Sequence, residues 1–278
     1  MRIERGCVME DRAGEPREVD LSTPNVARMY DYYLGGKDNF AADRDAAEKA
    51  LEFAPQIRLA AQQNRAFMGR AVRHLAETGT RQFLDVGTGL PTQNNVHEVA
   101  QRVAPDARVV YVDNDPVVLT HGRAILGGAE NVDIVQADLR RPEDILDDPE
   151  VRKRLDFDQP IAILLVAIVH FLPEGDGPDA IVARFRDALP PGGHLVLSHV
   201  CGEALPDSVP GVTEVYRHST TPILARTPDR IRSFFGDLEL LEPGVVNVAQ
   251  WRPDSVETRR IAEKYRRPYF LAGVARKN

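Results

Sequence analysis

Short apolar runs alternate with amphipathic stretches over the C-terminal two thirds of the chain. The runs fall near residues 81–86, 108–113, 132–137, 160–167 and 193–200. Their length and composition predict buried strands, whereas the stretches between them place apolar residues at helical spacing. Strands that alternate with helices are joined by right-handed crossovers into a parallel sheet. The pattern therefore predicts an α/β fold, and later apolar runs near Val245 and over 269–275 predict the last strands.

Three amphipathic patterns precede the first of these strands. They predict helices over residues 22–34, 41–53 and about 56–77. We expect Ser22 or Thr23 to cap the first helix, because a hydroxyl can accept a hydrogen bond from the N–H groups of the first turn. We expect Gly35 and Gly36 to end that helix, since glycine adopts the left-handed conformation at a helix C-terminus.

These elements predict how the chain is organised. The three helices are too small to hold a core of their own, so we expect residues 21–80 to form an N-terminal helical cap. Residues 81–278 then form the ligand-binding domain, with an insertion near 201–226. Residues 1–20 lack periodicity and are rich in charged side chains, which predicts a flexible tail.

The insertion after the fifth strand is rich in proline, glycine and threonine. A connection of that length in a compact domain is usually a lid or a binding loop. Because the segment leaves the carboxyl edge of the sheet, its polar and aromatic residues can wall a ligand pocket. The candidates are Glu214, Tyr216, Arg217 and His218. A solvated surface loop explains the same composition equally well.

The composition limits the size and the partners of the molecule. The 278 residues are 43% hydrophobic and 28% charged, which suffices for one α/β core with additions. A net charge of -7 argues against a nucleic-acid partner bound through its phosphates. Cys7 and Cys201 are too few for a disulfide framework or a cysteine metal site, which fits a reducing cytoplasm. The charged first residues and the short apolar run 161–169 predict neither a signal peptide nor a membrane span.

The end of the first strand is the most informative part of the chain, because Asp85 precedes Gly87 and Gly89 there. Glycines at this point let the backbone turn sharply and approach a ligand closely. A dinucleotide site places a diphosphate at such a turn and requires a third glycine, whereas Leu90 and Pro91 follow here. Asp85 would repel a diphosphate and attract an ammonium or a sulfonium group. S-adenosylmethionine carries both cations, so the turn favours it as the cofactor.

The stretch 83–89 resembles the glycine-rich first motif of class I S-adenosylmethionine-dependent methyltransferases. The resemblance covers residues 81–200 and implies a Rossmann-like, doubly wound, mostly parallel sheet of seven strands with an antiparallel edge strand. It also implies that an acid after the second strand binds the ribose hydroxyls and that a residue pair after the third strand binds adenine. The positions that match the cofactor-binding residues of the family are Asp85, Gly87, Thr88, Gly89, Asp113, Asn114, Asp138 and Leu139.

Each of these acids also has a purely structural explanation. Asp85 can cap the turn that follows it, and Asp138 can open an ordinary loop. Asp113 or Asp115 can cap a helix that begins at Pro116. For Asp115 we prefer capping, because Asp followed by Pro is a routine helix start. For the other three acids we favour cofactor binding.

Two more stretches, 24–40 and 90–98, resemble the signatures of a bacterial group of methyltransferases whose function is largely unassigned. With them the resemblance extends over nearly the whole chain. The amino-acid end of the cofactor has a carboxylate that requires a cation or hydrogen-bond donors. Lys37 or Arg65 can supply them, Arg65 with two parallel hydrogen bonds. A lysine at a helix C-terminus and a surface arginine are the alternatives.

His170 follows the fourth strand, where the family places residues between the cofactor and the acceptor. Because an imidazole titrates near neutral pH, His170 is the candidate catalytic base that takes a proton from the acceptor. A hydrogen-bonded structural histidine is the alternative, and His199 is a weaker candidate. The fourth strand is not followed by the Pro-Pro-aromatic motif of the family's DNA amino-methylating enzymes, and the Pro-Cys nucleophile of the cytosine enzymes is absent from the sequence.

The sequence thus predicts an S-adenosylmethionine-dependent methyltransferase that acts on an oxygen or nitrogen atom of a small molecule. We expect neither a nucleic-acid nor a membrane partner, no metal, and a cytoplasmic location. Two other classes stay open: a protein that binds the cofactor without turnover and an NAD-dependent oxidoreductase, which the missing third glycine disfavours. The acceptor and the oligomeric state have no signature in the sequence.

Overall fold

The computed structural model describes residues 8–10, 16–18, 20–91, 94–126, 128–203, 206–264 and 268–278. Its helices are α1 (Val26–Leu34), α2 (Ala41–Phe53), α3 (Ile57–Glu77), α4 (Val96–Val103), α5 (Pro116–Leu126), α6 (Pro142–Leu146), α7 (Pro149–Arg154), α8 (Pro178–Ala188), α9 (Val209–Arg217), α10 (Pro228–Ser233) and α11 (Val256–Lys264). Its strands are β1 (Val8–Glu10), β2 (Pro16–Glu18), β3 (Gln82–Val86), β4 (Arg108–Asp113), β5 (Val132–Gln136), β6 (Ala162–Val166), β7 (His194–Val200), β8 (Glu239–Leu240), β9 (Val246–Asn247) and β10 (Phe270–Arg276). Within these residues no helix has both the length and the apolar character needed to cross a membrane.

The large sheet has the strand order β5, β4, β3, β6, β7, β10, β8, and β9 also pairs with β10. Strands β3 to β7 are parallel, and β10 runs antiparallel to β7 with Phe270 opposite Val200. The predicted doubly wound, mostly parallel sheet is confirmed. It has eight strands rather than seven, because β8 and β9 each pair separately with β10 over two residues.

The order of the strands creates a crevice at one edge of the sheet. From β3 the chain proceeds to β4 and β5 on one side, and β6 then returns to the other side of β3. Connections therefore leave the carboxyl ends of β3 and β6 in opposite directions. Open α/β sheets bind their ligands at such a switch point.

Hydrophobic clusters cover both faces of the sheet. On one face, Met29, Tyr33 and Phe67 of helices α1 and α3 belong to the same cluster as Phe83 and Leu164 of the strands. The other face is covered by α6, α7, α8 and α10. Successive strand residues point to opposite faces, so each buried strand supplies both clusters. The N-terminal helices thus share a core with the sheet.

The N-terminal segment differs from its sequence prediction. Helix α1 begins at Val26 and its cap is Asn25, not Ser22 or Thr23, because the Asn25 Oδ1 atom accepts hydrogen bonds from the second and third helical N–H groups at 2.8 and 3.2 Å. Gly35 ends the helix with φ of 82°, as predicted.

Part of the predicted flexible tail forms regular structure. Strands β1 and β2 pair antiparallel, whereas residues 1–7, 11–15 and 19 lie outside the described residues. The sequence gives no alternation there that would have predicted a hairpin.

Two predicted boundaries after β3 and β7 also change. The sequence after the glycine turn predicts a helix from Thr92, a residue that lies outside the described ones, whereas the crossover helix α4 begins at Val96. The segment after β7, expected to be irregular, contains α9. Pro210 does not prevent this helix, because it lies in the first turn, where its missing N–H leaves no helical hydrogen bond unmade.

Candidate active site

A cavity of about 690 Å³ lies at the crevice of the sheet. Its walls come from α1, α3, the carboxyl ends of β3, β4 and β6, helix α9 and the start of β10. The cavity brings together most of the site residues that the sequence predicts. These are Arg65, Asp85, Gly87, Thr88, Gly89, Asp113, Asn114, Asp138, Leu139 and His170.

The turn after β3 requires its glycines. Gly87 has φ of 76° and Gly89 has φ of 64°, a region that favours glycine. A side chain at Gly87 would also overlap with the side chain of Ile168. The Gly87 N–H donates to the carbonyl of Val112 at 2.8 Å, which ties the turn to β4. The backbone therefore approaches the cavity here without a side chain in the way.

Asp85 is buried beneath this turn and is only 4% exposed. Burial raises the pKa of its carboxyl to about 7, although the nearby Arg65 lowers it and Asp113 raises it further. A cation that enters the cavity stabilises the ionised form of this carboxyl, because it offsets the free energy cost of burying the negative charge. This is the property expected of the partner of an ammonium group.

Asp113 is fixed by the backbone around it. Its Oδ2 atom accepts a hydrogen bond from the N–H of Gly89 at 2.8 Å, and its Oδ1 atom accepts one from the N–H of Asp115 at 3.0 Å. Burial raises the pKa of Asp113 to about 6, against the lowering effect of these hydrogen bonds. Each carboxylate oxygen keeps a second lone pair, so the group can still accept from hydroxyl donors.

Asp115 has the structural role that the sequence favours. Its Oδ1 atom accepts a hydrogen bond at 2.7 Å from the N–H of Val117 in the first turn of α5. Its Oδ2 atom is buried and makes no hydrogen bond within the described residues. The capping interpretation is therefore confirmed, although the residue also lines the cavity.

Asp138 forms an ion pair with Arg140, a residue that has no signal in the sequence analysis. Both of its oxygens face the guanidinium of Arg140, with Nη2 to Oδ2 at 2.5 Å and Nε to Oδ1 at 3.0 Å. Hydrogen bonding to Arg140 is the main reason why the pKa of Asp138 is lowered. The carboxylate thus stays charged and remains an acceptor beside Leu139, which is buried.

Lys37 and Arg65, the two predicted carboxylate partners, are in different places. Lys37 is exposed and does not line the cavity, because the chain after α1 folds back on Asp31. The Oδ2 atom of Asp31 accepts from the N–H of Asp38 at 3.0 Å, and its carbonyl accepts from the N–H of Gly36 at 2.9 Å. Arg65 lines the cavity from α3. The structure therefore brings Arg65 and not Lys37 to the site.

A buried ion pair that has no local sequence signal anchors α1, which lines the cavity. The Nε atom of Arg28 lies 2.8 Å from Oδ2 of Asp43 on α2. The other oxygen of Asp43 accepts from the N–H of Asn25 at 2.8 Å. Beside this anchor, the N–H of Thr220 donates to the carbonyl of Pro24 at 2.9 Å. The segment before α1 and the segment after α9 therefore meet across the cavity.

His170 lies in the 3-10 turn Val169–Phe171 and is 2% exposed. Burial lowers the pKa of His170 well below its usual value, and the neighbouring His199 and Arg226 lower it further. The ring is therefore neutral at physiological pH, and its Nδ1 atom makes no hydrogen bond within the described part of the chain. A neutral imidazole with an unused nitrogen at a cavity wall can accept a proton or a hydrogen bond from a ligand.

Arg226 holds the backbone that carries His170. Its guanidinium donates to the carbonyls of Val169 at 3.2 Å and Leu172 at 2.7 Å. It also lies 2.8 Å from Nε2 of His199, whose Nδ1 atom lies 2.8 Å from the carbonyl of Val200. An Nδ1 donor and an Nε2 acceptor fit this geometry, so His199 is a neutral structural residue rather than a base.

Six aromatic side chains besides His170 form a large part of the cavity wall. The aromatic side chains that line it besides His170 are Tyr30, Tyr33, Phe171, Tyr216, Tyr269 and Phe270. The tyrosine predicted from the insertion is among them. The three polar residues predicted with it are not, because they are exposed and form their own surface ion-pair cluster of Glu214, Arg217 and His218.

The donor and acceptor groups of the cavity suit S-adenosylmethionine. Three carboxylates at successive strand ends can meet its adenine, its ribose and its ammonium group, and Arg65 can meet its carboxylate. A diphosphate bridge would instead face Asp85 and Asp113 at the glycine turn. Within the described residues, no group of three or more His, Cys, Asp or Glu side chains is placed to hold a metal ion.

Comparisons with known proteins agree with S-adenosylmethionine as the cofactor. A family model described as S-adenosyl methyltransferase matches residues 12–278. A candidate methyltransferase from Thermobifida fusca YX is similar, with 46% identity, a TM-score of 0.86, and coverage of 93% of this chain and 97% of that chain. A DUF574 family protein from Streptomyces avermitilis MA-4680 is similar at 42% identity and a TM-score of 0.88, covering 93% of this chain and 99% of that one. No functionally curated protein matches the chain.

Proposed function

The chain belongs to the S-adenosyl methyltransferase family and is an S-adenosylmethionine-dependent methyltransferase, and from this premise we propose that it methylates an oxygen or nitrogen atom of a small molecule. One observation carries the proposal. The same cavity is lined by the three strand-end acids and by an aromatic wall. A cofactor and an acceptor can therefore meet inside it. An NAD-dependent oxidoreductase is excluded by the family.

We assign the cofactor contacts as follows. Asp113, with Asn114 beside it, accepts from the ribose hydroxyls, and Asp138 with Leu139 binds the adenine. Asp85 and the turn of Gly87, Thr88 and Gly89 hold the ammonium end. Arg65 binds the carboxylate of the same end, because it lines the cavity and lies near enough to Asp85 to lower the pKa of that carboxyl.

Bound S-adenosylmethionine supplies a methyl group that its sulfonium already activates. The protein has to orient the acceptor in line with that group and to exclude water, and proximity and orientation then provide most of the rate. The aromatic wall and the contact between the segments before α1 and after α9 serve this purpose, since residues of both line the cavity.

His170 is the proposed base at the acceptor side. Its neutral imidazole accepts the proton that the acceptor hydroxyl or amine loses as the oxygen or nitrogen gains the methyl group. Because the pKa of His170 is lowered, it is a weak base and suits an acceptor whose own proton is already acidic. A purely structural role for the ring is the alternative that the experiment below addresses.

A small molecule is favoured over a polymer by the shape and the charge of the protein. The cavity volume of about 690 Å³ lies within the range typical of small-molecule sites. The hydrogen bond between Thr220 and Pro24 joins two of the segments that line the cavity. The net charge of -7 disfavours a polyanionic substrate.

Binding of adenosylhomocysteine, measured by calorimetry, tests the ribose assignment. Asp113→Asn should weaken the affinity by about tenfold or more, because a hydrogen bond to a charged group contributes about 1.5 to 3 kcal/mol. Asp158→Asn alters an exposed carboxylate away from the cavity and should leave the affinity unchanged. Equal affinities for the two variants would refute the role of Asp113.

Transfer of a labelled methyl group into a panel of small molecules tests the reaction. His170→Asn should leave adenosylhomocysteine binding intact and slow turnover by about a hundredfold or more if the base role is real. His194→Asn is the matched control, since His194 is a partly buried histidine at the N-terminal end of β7 and does not line the cavity. Unchanged turnover in His170→Asn would make that ring structural, and label found only in the nucleic acid or protein of an added cell extract would contradict the acceptor class.

A further inference from the structure

We propose that the acceptor is an uncharged, planar aromatic molecule with a hydroxyl group, bound flat against the aromatic wall. The aromatic wall is defined here as Tyr30, Tyr33, Phe171, Tyr216, Tyr269 and Phe270. This inference rests on the proposed function above and names the substrate class of the same site.

The rings of the aromatic wall come from separate parts of the chain and converge on one space. The Phe171 and Tyr216 rings are nearly parallel, at an angle of 27° with centroids 6.3 Å apart. The His170 ring lies 4.4 Å from Phe171 and 5.8 Å from Phe270. Aromatic rings prefer offset or edge-to-face contacts with other aromatic rings. A flat ligand ring in this space is therefore in contact with π-faces and close to the proposed base.

The hydroxyl groups of the aromatic wall offer polar contacts but no charge. The hydroxyls of Tyr33 and Tyr216 lie 3.4 Å apart, so one of their two protons is used between them. The other proton has no acceptor among the described residues. Tyr30, in contrast, is satisfied, because it donates to the carbonyl of Ala61 at 3.1 Å and accepts from Asn64 at 3.0 Å. The Tyr33 and Tyr216 pair can thus bind one polar substituent of the ligand.

The charges around the aromatic wall disfavour an ionic acceptor. Burial raises the pKa values of Tyr33, Tyr216 and Tyr269, so their hydroxyls are neutral at physiological pH. The turn Val169–Phe171, helix α9 and the start of β10 contribute no charged lining residue within the described chain. An acceptor carboxylate would meet no cation on these elements.

Among the described residues, no arginine near the site is left for the acceptor, because Arg65 is assigned to the cofactor carboxylate and Arg140 is paired with Asp138. Arg226 behind His170 is occupied by two carbonyls, by His199 and by Glu174. Arg28 on α1 is committed to Asp43. A cationic acceptor would face the positive charge of Arg226 across the neutral His170. A neutral aromatic hydroxyl compound is therefore the class that this wall fits.

Calorimetric titration of the full-length protein saturated with adenosylhomocysteine tests the inference. The probes are 2-naphthol, its saturated analogue decahydro-2-naphthol, and 2-naphthoate. We expect 2-naphthol to bind, and the saturated alcohol and the carboxylate each to bind about tenfold more weakly or not at all, because the first lacks a π-face and the second brings an unpaired charge. Failure of 2-naphthol to bind, or equal binding of the saturated alcohol, overturns the inference.

Variants of one ring separate aromatic contact from general packing. Tyr216→Leu should raise the Kd of 2-naphthol by about two- to twelvefold, the range expected for one aromatic pair, whereas Tyr216→Phe should change it by less than about twofold. Phe157→Leu changes a ring that lies outside the cavity, over the guanidinium of Arg152, and should have no effect. Equal Kd values for the two Tyr216 variants would overturn the inference.

Adenosylhomocysteine itself distinguishes this inference from the proposed function. Each variant should bind it with the affinity of the unmodified protein, which also shows that the variant is folded. If the unmodified protein does not bind adenosylhomocysteine, the proposed function fails. If it binds adenosylhomocysteine but not 2-naphthol, only the aromatic acceptor class is wrong.

Discussion

The raised pKa values of Asp85 and Asp113 predict that cofactor affinity falls as the pH is lowered. The ionised carboxylates attract the ammonium group, and they accept hydrogen bonds from the ribose hydroxyls more strongly than the protonated carboxyls do. The pKa of Asp85 is about 7 and that of Asp113 is about 6. From about pH 7.5 to about pH 6, the ionised fraction of Asp85 falls about eightfold and that of Asp113 about twofold.

The expected effect on binding follows from these fractions. Adenosylhomocysteine contacts both carboxylates, so its affinity should fall by about sixteenfold over this interval if they titrate independently. Methylthioadenosine has the ribose but no amino-acid end, so its affinity should fall only about twofold. The difference between the two ligands isolates Asp85 and cancels pH effects that they share.

Isothermal titration calorimetry at the two pH values checks this prediction. In Asp85→Asn, the affinity for adenosylhomocysteine should be lower at the higher pH and should then vary only about as much as that for methylthioadenosine. An affinity of the unmodified protein that is independent of pH, or an equal fall for both ligands, would refute the electrostatic role of Asp85.

Three further predictions concern the free energy of unfolding, measured by chemical denaturation. Gly87→Ala should lower it by about 2 kcal/mol or more and abolish cofactor binding, because φ of 76° and the overlap with Ile168 both oppose a side chain. Arg28→Met should lower it by about 3 to 5 kcal/mol, since Asp43 then keeps a buried charge without a partner. Asp85→Asn should raise the free energy of unfolding of the ligand-free protein by up to about 4 kcal/mol near pH 8, because folding raises the pKa of Asp85 from 3.8 to about 7. A raised pKa costs stability only above the pKa of the unfolded state, so the gain should vanish near pH 3.

Matched variants control for these three substitutions. Gly175→Ala places its side chain in open space, Arg73→Met breaks an exposed pair with Asp254, and Asp158→Asn removes an exposed carboxylate. Each should change the free energy of unfolding by less than about 1 kcal/mol. If a control variant changes stability as much as its buried counterpart, the corresponding explanation is wrong.

The cofactor side of the cavity could be predicted from the sequence because it is built from strand ends. Parallel strands end at the same edge of the sheet, so Asp85, Asp113 and Asp138 had to lie near one another once the strands were recognised. The glycine turn has a comparably local signal, since its conformation depends on Gly87 and Gly89 themselves. Local patterns of this kind specify both the elements and their carboxyl ends.

The remaining features depend on contacts between distant residues. Lys37 follows a Gly-Gly pair that suggests a flexible approach to the site, but the hydrogen bonds of Asp31 turn it outward. Arg28 finds Asp43 across two helices, and Arg226 reaches back to the turn that carries His170. A single sequence contains no periodicity that reveals such pairs.

The strand-end acids and helix α9 both line the cavity, but they belong to different parts of the fold, and this has an evolutionary consequence. Asp85 and Asp113 lie on the central strands β3 and β4, where a substitution disturbs the hydrogen-bonded sheet, whereas α9 lies outside the sheet order. After a gene duplication, α9 can diverge while the methyl-donor site is preserved. Natural variation in substrate choice should therefore concentrate in the stretch that joins β7 to α10, and chimeras exchanging that stretch should exchange preference.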